Sequence, residues 1–298
     1  MLILSGSSNP KLANAIAGAL QTQVVEVEIQ KFANGEKRVW VKGELRGQNV
    51  TLVQSFSDPT DEHIIETLLI ADAVERLGAR NLNLVLPWMG YSLQDKVFRL
   101  GEPIAAKVVA NLVSSSYIKR AFLLDLHNSS IPGFFSIPTE HVSLIDTFVD
   151  HCKQHFDLSQ VVVASPDFGG LKRARVFADK LGVGLVNFDK KRNLETGKIE
   201  ITNLHGDVSG KVVLTFDDVI VSGGTVIEIA NVVNQNHAKS VHFIATHALF
   251  ADHALEKINS STIDSIITSD SVALQGTTQK VVSISCADVF AQALRNWA

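Results

Sequence analysis

Cysteine is nearly absent from this chain: its 298 residues include only Cys152 and Cys286. That excludes a disulfide framework and makes a reducing compartment the default. Apolar residues make up 46% of the sequence, yet no apolar run approaches the length of a membrane span. A basic excess is missing as well. With 27 Lys and Arg against 31 Asp and Glu the formal net charge is −4, which argues against a general nucleic-acid binder while leaving small anionic ligands open to local basic residues. No basic segment precedes the short apolar start Met1 to Leu4, and Ser5-Gly6-Ser7-Ser8 interrupts it, so a secretory leader is not expected. Neither a GxxxxGKS/T phosphate loop nor a protein-kinase signature is found, so any nucleotide must be bound by another scheme. The expectation is a cytoplasmic globular protein with no membrane and no nucleic-acid partner.

What is present is organised around Lys211 to Thr225, KVVLTFDDVIVSGGT, followed by VIEIANVV. Val212, Val213, Leu214 and Phe216 read as a buried parallel strand, while Val226, Ile229, Ala230 and Val233 recur at helical spacing. Asp217 and Asp218 sit where the strand is expected to end, the place where open parallel sheets put ligand groups. Ser222, Gly223, Gly224 and Thr225 lead into a helix N-terminus, whose bare N–H groups and positive dipole end suit a phosphate monoester. The carboxylates suit sugar hydroxyls or a hydrated Mg²⁺. A sugar phosphate satisfies both halves.

Elsewhere strands and helices alternate. Leu2 to Leu4, Val24 to Ile29, Asn49 to Gln54, Leu82 to Leu86 and Ala121 to Leu124 read as strands. Lys11 to Leu20, Pro59 to Leu77 and Pro103 to Val113 read as helices, and Asn34-Gly35 as a hairpin turn. In the second half Val161 to Ala164, Gly184 to Phe188, Val241 to His247, Ser265 to Thr268 and Val281 to Ser283 are strand-like. Helices are expected over Lys172 to Leu181 and around Ala251 to Lys257, and a polar, mobile connection over Asp189 to His205. The fold class is α/β: two doubly wound domains with mostly parallel sheets, 1–146 and 147–298, facing each other across a cleft. The C-terminal helix, Ala287 to Trp297, has a periodicity that suits packing on either domain. His151 and His155 have a zinc-compatible spacing, but with no further ligand nearby a plain helix face is the better reading.

The ordered string of strand, paired acids, Ser-Gly-Gly-Thr and helix resembles the phosphoribosyl diphosphate (PRPP) motif of phosphoribosyltransferases and PRPP synthetases. With it in place, FANGE, PTDEHIIETLLIADAVERLGA, GEPIAAKVVANL, DLHNSSIPGFF and SPDFGGLKRAR resemble PRPP-synthetase segments in family order through nearly the whole chain. The resemblance implies phosphoribosyltransferase-like domains, the first on the ATP side and the second carrying the ribose 5-phosphate loop, with Mg²⁺ as cofactor. It implies that Phe32, Asn34 and Glu36 bind the nucleotide base, across a subunit interface of a homo-oligomer, and that Gln94 and Asp95 belong to the same nucleotide site. His127 would lie near the ATP phosphates and metal, and Asp167 would be a second metal-side group. Asp217 and Asp218 would hold the ribose hydroxyls, and Ser222, Gly223, Gly224 and Thr225 its phosphate. Lys190 and Arg192 would be brought over the transferring diphosphoryl group by a mobile loop; on composition alone a solvated basic turn is the better reading of them.

Two positions depart from the family pattern. Leu93, in YSLQD, stands where an arginine is expected to meet the ATP phosphates, and Val221 replaces a polar residue beside the ribose phosphate. Lys96 or Arg99 is placed to supply the missing charge. The expected activity is that of a ribose-phosphate diphosphokinase, with diphosphate passing from ATP to the 1-hydroxyl of ribose 5-phosphate. Three rivals stand beside it: a phosphoribosyltransferase, a diphosphokinase acting on a different ribose-phosphate acceptor, and a catalytically impaired regulatory paralogue.

Overall fold

The protein is described by a computed structural model covering residues 1–192, 199–276 and 278–297. Its first half runs β1 (Leu2–Ser5), α1 (Pro10–Leu20), β2 (Val24–Val25), β3 (Val27–Lys31), β4 (Lys37–Val41), β5 (Asn49–Val53), α2 (Thr60–Arg76), β6 (Asn81–Leu86), α3 (Ala105–Ser115), β7 (Ile118–Leu124) and β8 (Thr139–Val142). The second half runs α4 (Ile145–His155), β9 (Val161–Ser165), α5 (Leu171–Leu181), β10 (Gly184–Arg192), β11 (Ile199–His205), β12 (Val212–Ile220), α6 (Gly224–Gln235), β13 (Ser240–Ala248), α7 (Ala254–Asn259), β14 (Ser265–Ser269), β15 (Val281–Ile284) and α8 (Ala287–Arg295).

The chain forms two compact units. One comprises Met1–Ser143, Ser271–Ala273 and Ser285–Ala298; the other comprises Leu144–Asp270 and Leu274–Ile284. Each is built on its own sheet.

In the first unit the strand order is β2-β1-β5-β6-β7-β8, all parallel. Val, Leu and Ile dominate β5 to β7 because parallel strands are covered on both faces. The α1 helix starts cleanly: Asn9 Oδ1 accepts the Leu12 N–H at 3.2 Å, and Pro10 occupies the first turn, where its fixed φ suits a helix start. Pro103 does not do the same for α3, which begins two residues later at Ala105. The hairpin β3–β4 is a separate two-stranded sheet packed on α2. Helix α8 lies against α1 and β8, burying Phe290 and Leu294, and Arg120 stacks 3.6 Å from the Trp297 ring centre.

In the second unit the order is β11-β10-β9-β12-β13-β14-β15, parallel except for β11. Of the stretch expected to be a polar, mobile connection from Asp189 to His205, residues 193–198 lie outside the described residues; the remainder is strand, because β10 extends through Arg192 and pairs antiparallel with β11, with a register shift between Asp189 and Lys190. Polar residues concealed the pairing, since an outer strand need not look apolar. Central strand β12 is longer than its apolar run. It pairs with β13 as far as Ile220, so Asp217 and Asp218 lie within the strand and not after it. Phe216, just before them, stacks on Phe177 of α5 at 4.2 Å and meets Phe148 edge-on at 6.4 Å, which fixes this end of β12 against the helices behind it.

A buried carboxylate ties the first unit together. Glu66 of α2 is fully buried, and it accepts hydrogen bonds from Ser7 N (2.7 Å), Ser7 Oγ (2.7 Å), Gln54 Nε2 (2.7 Å) and Lys37 Nζ (2.6 Å). Burial works against its ionisation, but Lys37 and the Ser7 donors outweigh that and hold the carboxyl below the usual range. Because the folded-state pKa is depressed, its stabilisation is complete above the unfolded value near 4.5 and is lost as pH falls through the lower folded value. Urea midpoints of the wild type should therefore fall as pH drops below 4.5 by more than those of Glu66→Gln. That variant should already be destabilised by about 3 kcal/mol at neutral pH, because the charge of Lys37 stays behind without its partner. Equal acid sensitivity in the two proteins would refute the assignment.

Candidate active site

Asp217 and Asp218 are neighbours on β12, and two adjacent carboxylates repel unless something neutralises them. Arg173, on the first turn of α5, does so: its Nη1 donates to Asp218 Oδ1 at 2.6 Å and to Asp217 Oδ1 at 3.2 Å. Asp218 is 3% exposed, whereas the Asp217 side chain is 32% exposed. Its recessed position and the Asp218 charge push the Asp217 carboxyl well up, and Arg173 pulls it only part of the way back. The acids are thus unequal. Asp218 is committed to the guanidinium, and Asp217 presents oxygens at the carboxyl end of the sheet. Both acids stand out in the sequence, whereas their contact with Arg173 joins residues more than forty positions apart and has no local signal.

Asp167 closes the turn between β9 and α5. Its Oδ1 accepts the Gly170 N–H at 2.9 Å and its carbonyl accepts Ser165 Oγ at 2.7 Å. A Cβ on Gly170 would stand 3.4 Å from Ser165 Oγ, 3.6 Å from Asp217 Oδ1 and 3.7 Å from Asp167 Oδ1. Ser165, Asp167 and Asp217 therefore converge around this glycine. Among the described residues no group of three or more His, Cys, Asp and Glu side chains forms a metal cage. Two carboxylates flanking one glycine nevertheless suit Mg²⁺, which takes one or two carboxylates together with substrate phosphates and water.

The loop after β12 is held from one side. Leu249 N donates to Ile220 O and Ala251 N to Val221 O, both at 2.9 Å, so the loop carbonyls are engaged by the segment that follows β13. Gly223 caps α6 with φ +75°, and no side chain caps that end. The N–H groups of Gly224, Thr225 and Val226 precede the first intrahelical bond, Ile227 N to Gly223 O. Ser222 and Gly224 are exposed and Thr225 is half-buried. Unbonded backbone donors and the positive end of a helix dipole occur together here, with the Ser222 and Thr225 hydroxyls adjacent in sequence, an arrangement that suits an oxyanion. Val221 is 38% exposed beside it.

In the first unit, His127 is exposed on the loop after β7. That loop is fixed by Asp125 N to Val142 O (3.0 Å) and Leu126 N to His141 Nε2 (3.3 Å). Asn128 Nδ2 donates to Asp95 Oδ2, which brings the Gln94-Asp95 segment to the His127 loop; Gln94 in turn receives the Ala106 N–H on its carbonyl at 3.2 Å. Leu93 is half-buried, and Lys96 and Arg99 are exposed on the same segment, with Lys96 Nζ 5.1 Å from the Phe98 ring centre. Phe32, Asn34 and Glu36 form a separate group, all exposed at the tip of the β3–β4 hairpin. There Phe32 N donates to Glu36 O at 2.8 Å and Asn34 Oδ1 accepts from Glu36 N at 3.2 Å. The Lys190 and Arg192 side chains lie outside the described residues; their backbone belongs to β10. His151 and His155 stack on each other at 4.1 Å on α4, and the buried Cys152 thiol between them in sequence is pushed up to about 12 by desolvation, which leaves it inert.

Residues 1–116 match the model of the N-terminal domain of ribose phosphate pyrophosphokinase, and residues 140–280 match that of the phosphoribosyl transferase domain. A ribose-phosphate pyrophosphokinase of Fusobacterium nucleatum is 38% identical over 98% of this chain and 93% of its own length. One from Helicobacter hepaticus is 37% identical, over 98% and 94%. The crystal structure of phosphoribosylpyrophosphate synthetase from Mycobacterium smegmatis matches with a TM-score of 0.92 at 30% identity, covering 99% of this chain and 98% of that one.

Gly223 is the position where the loop geometry can be tested directly. Its left-handed φ and the Ile258 Cδ1 atom 3.3 Å from a would-be Cβ both oppose a side chain. Gly223→Ala is expected to lower stability by about 1–2 kcal/mol in urea unfolding, and an unchanged midpoint would show that the turn relaxes without strain.

Proposed function

Because the chain belongs to the ribose-phosphate pyrophosphokinase family, we propose that it transfers the β,γ-diphosphoryl group of ATP to the anomeric hydroxyl of ribose 5-phosphate, giving PRPP and AMP. The observation that carries this reading is the second-unit constellation: paired acids bridged by Arg173 and followed at once by a bare helix N-terminus. Vicinal sugar hydroxyls need acceptors, and a terminal phosphate needs donors. Both are supplied within one strand–loop–helix segment.

In this reading Asp217 and Asp218 orient the ribose, and Ser222, Gly223, Gly224 and Thr225 hold its 5-phosphate. With ribose fixed, the 1-hydroxyl attacks the β-phosphorus of ATP, and catalysis is mostly positioning and charge stabilisation. No strong general base is required. Lys190 and Arg192 supply cations to the transferring group. Phe32, Asn34 and Glu36 take the base, and Gln94 and Asp95 belong to the same nucleotide site. His127 and Asp167 are the metal-side groups, where bound Mg²⁺ would offset the charge of the diphosphate. We assign the first unit to ATP and the second to ribose 5-phosphate, the protomers to a homo-oligomer, and the reaction to the cytoplasm. Two buried thiols in place of disulfides support that last assignment, and among the described residues no helix is long and apolar enough to cross a membrane.

Val221 is compatible with this chemistry because the phosphate contacts come from backbone N–H groups. Leu93 is the sharper departure, and Lys96 and Arg99 are exposed on the same segment to replace its missing charge.

The deciding measurement is AMP release with Mg²⁺ and ATP, with and without ribose 5-phosphate. We expect AMP formation to depend on ribose 5-phosphate and to fall roughly a hundredfold in Asp217→Asn, since misplacing a reacting group can cost that much. Protein that binds ATP but releases no AMP would favour the regulatory paralogue or another acceptor. For Leu93, Lys96→Ala or Arg99→Ala should raise the KM for ATP about tenfold, equivalent to ~1.4 kcal/mol. If neither variant weakens ATP binding, the compensation is ruled out.

A further inference from the structure

The β3–β4 hairpin belongs to neither main sheet, so no ladder hydrogen bonds tie its position to the rest of the first unit. Side chains must do so. Along β4 burial alternates: Lys37, Val39 and Val41 face inward, while Arg38 and Trp40 are exposed. Val39 and Val41 join the core. At the tip end, the inward position is a lysine.

Lys37 lies directly opposite Lys31 in the strand register, immediately below the Phe32-to-Glu36 tip. Like charges at such a pair would open the hairpin where it must be narrowest. Both instead reach α2. Lys31 Nζ is 2.7 Å from Glu62 Oε1, and Lys37 Nζ is 2.6 Å from Glu66 Oε2 and 3.6 Å from Glu62 Oε2. Glu62 and Glu66 are four residues apart and share one helix face, so two lysines on two strands meet two carboxylates on one helix.

The two pairs are unequal. Lys31 and Glu62 are 54% and 37% exposed, whereas Lys37 and Glu66 are 11% and 0% exposed. An exposed pair is weak and screened by salt. A buried pair permits little displacement, because separating it leaves a desolvated charge. Glu66 is itself immobilised by Ser7 and by Gln54, which sits just beyond β5.

We propose that the lysine–glutamate clamp, Lys37 on Glu66 reinforced by Lys31 on Glu62, fixes the position of the hairpin tip and thereby sets the affinity for the nucleotide base, making Lys37 and Glu66 positioning residues. The inference rests on the proposed reading that the tip takes the base. Lys37 touches no substrate in this scheme; it acts through Phe32, Asn34 and Glu36.

Steady-state kinetics of the full chain tests it. Lys37→Met should raise the KM for ATP about tenfold while the KM for ribose 5-phosphate stays within about twofold, and Lys37→Arg, which keeps the charge, should recover most of the loss. Lys31→Met should raise the KM for ATP about twofold at low salt and leave it unchanged at high salt. An unchanged KM for ATP in folded Lys37→Met overturns the clamp, as does a parallel rise in both KM values. If Lys37→Met does not fold, Lys31→Met decides: no effect at low salt overturns the proposal. Phe32→Ala separates the two levels of inference. If it leaves the KM for ATP unchanged, the base-binding reading of the tip fails. If it raises that KM while Lys37→Met does not, the reading stands and the clamp fails.

Discussion

The second unit depends on a single charge constraint. Adjacent carboxylates on a buried central strand are unstable alone, and the guanidinium of Arg173 joins both of them. Because Arg173 starts α5, the bond also fixes that helix against β12, with Phe177 and Phe216 stacked behind it. The bridge leaves Asp217 facing outward and Asp218 held within, and so creates an asymmetric pair from two identical residues.

The neighbouring loop, to which the proposed function gives the phosphate, rests on backbone. Its carbonyls are occupied by Leu249 and Ala251 N–H groups, and Gly223 turns the chain into α6. Donors supplied by the main chain survive changes of side chain, so under the proposed function Val221 would leave the anion geometry intact. Leu93 is different in kind. Under the proposed function its segment would contribute charge, and charge has to come from a side chain.

Glu66 plays in the first unit the part that Arg173 plays in the second. A buried ion is held by groups from the β1–α1 turn, the end of β5 and the hairpin, elements that are distant in sequence. Such an ion adds little net stability compared with an apolar residue of the same size, but it specifies which groups must meet. Here it specifies where an otherwise unpaired hairpin sits.

Much of the fold was legible from the chain alone. Apolar runs such as VVLTF, helical periodicities such as that of α6, and Asn34-Gly35 between alternating residues are local signals, and local signals survive without tertiary context. The resemblance added the order of the chemical segments. What escaped depended on distant partners: β11 and the end of β10 beyond Phe188 are polar and pair with each other at the side of the sheet, β12 continues past its apolar run because β13 is there to pair with it, and α8 packs on α1. The pairing of Arg173 with two acids, and of Lys31 and Lys37 with α2, also belongs to that class. The sequence by itself determined which residue types lie at strand ends and helix starts, through backbone propensity and periodicity. Only tertiary structure decided which charge neutralises which, because that is set by long-range packing and desolvation and leaves no trace in neighbouring residues.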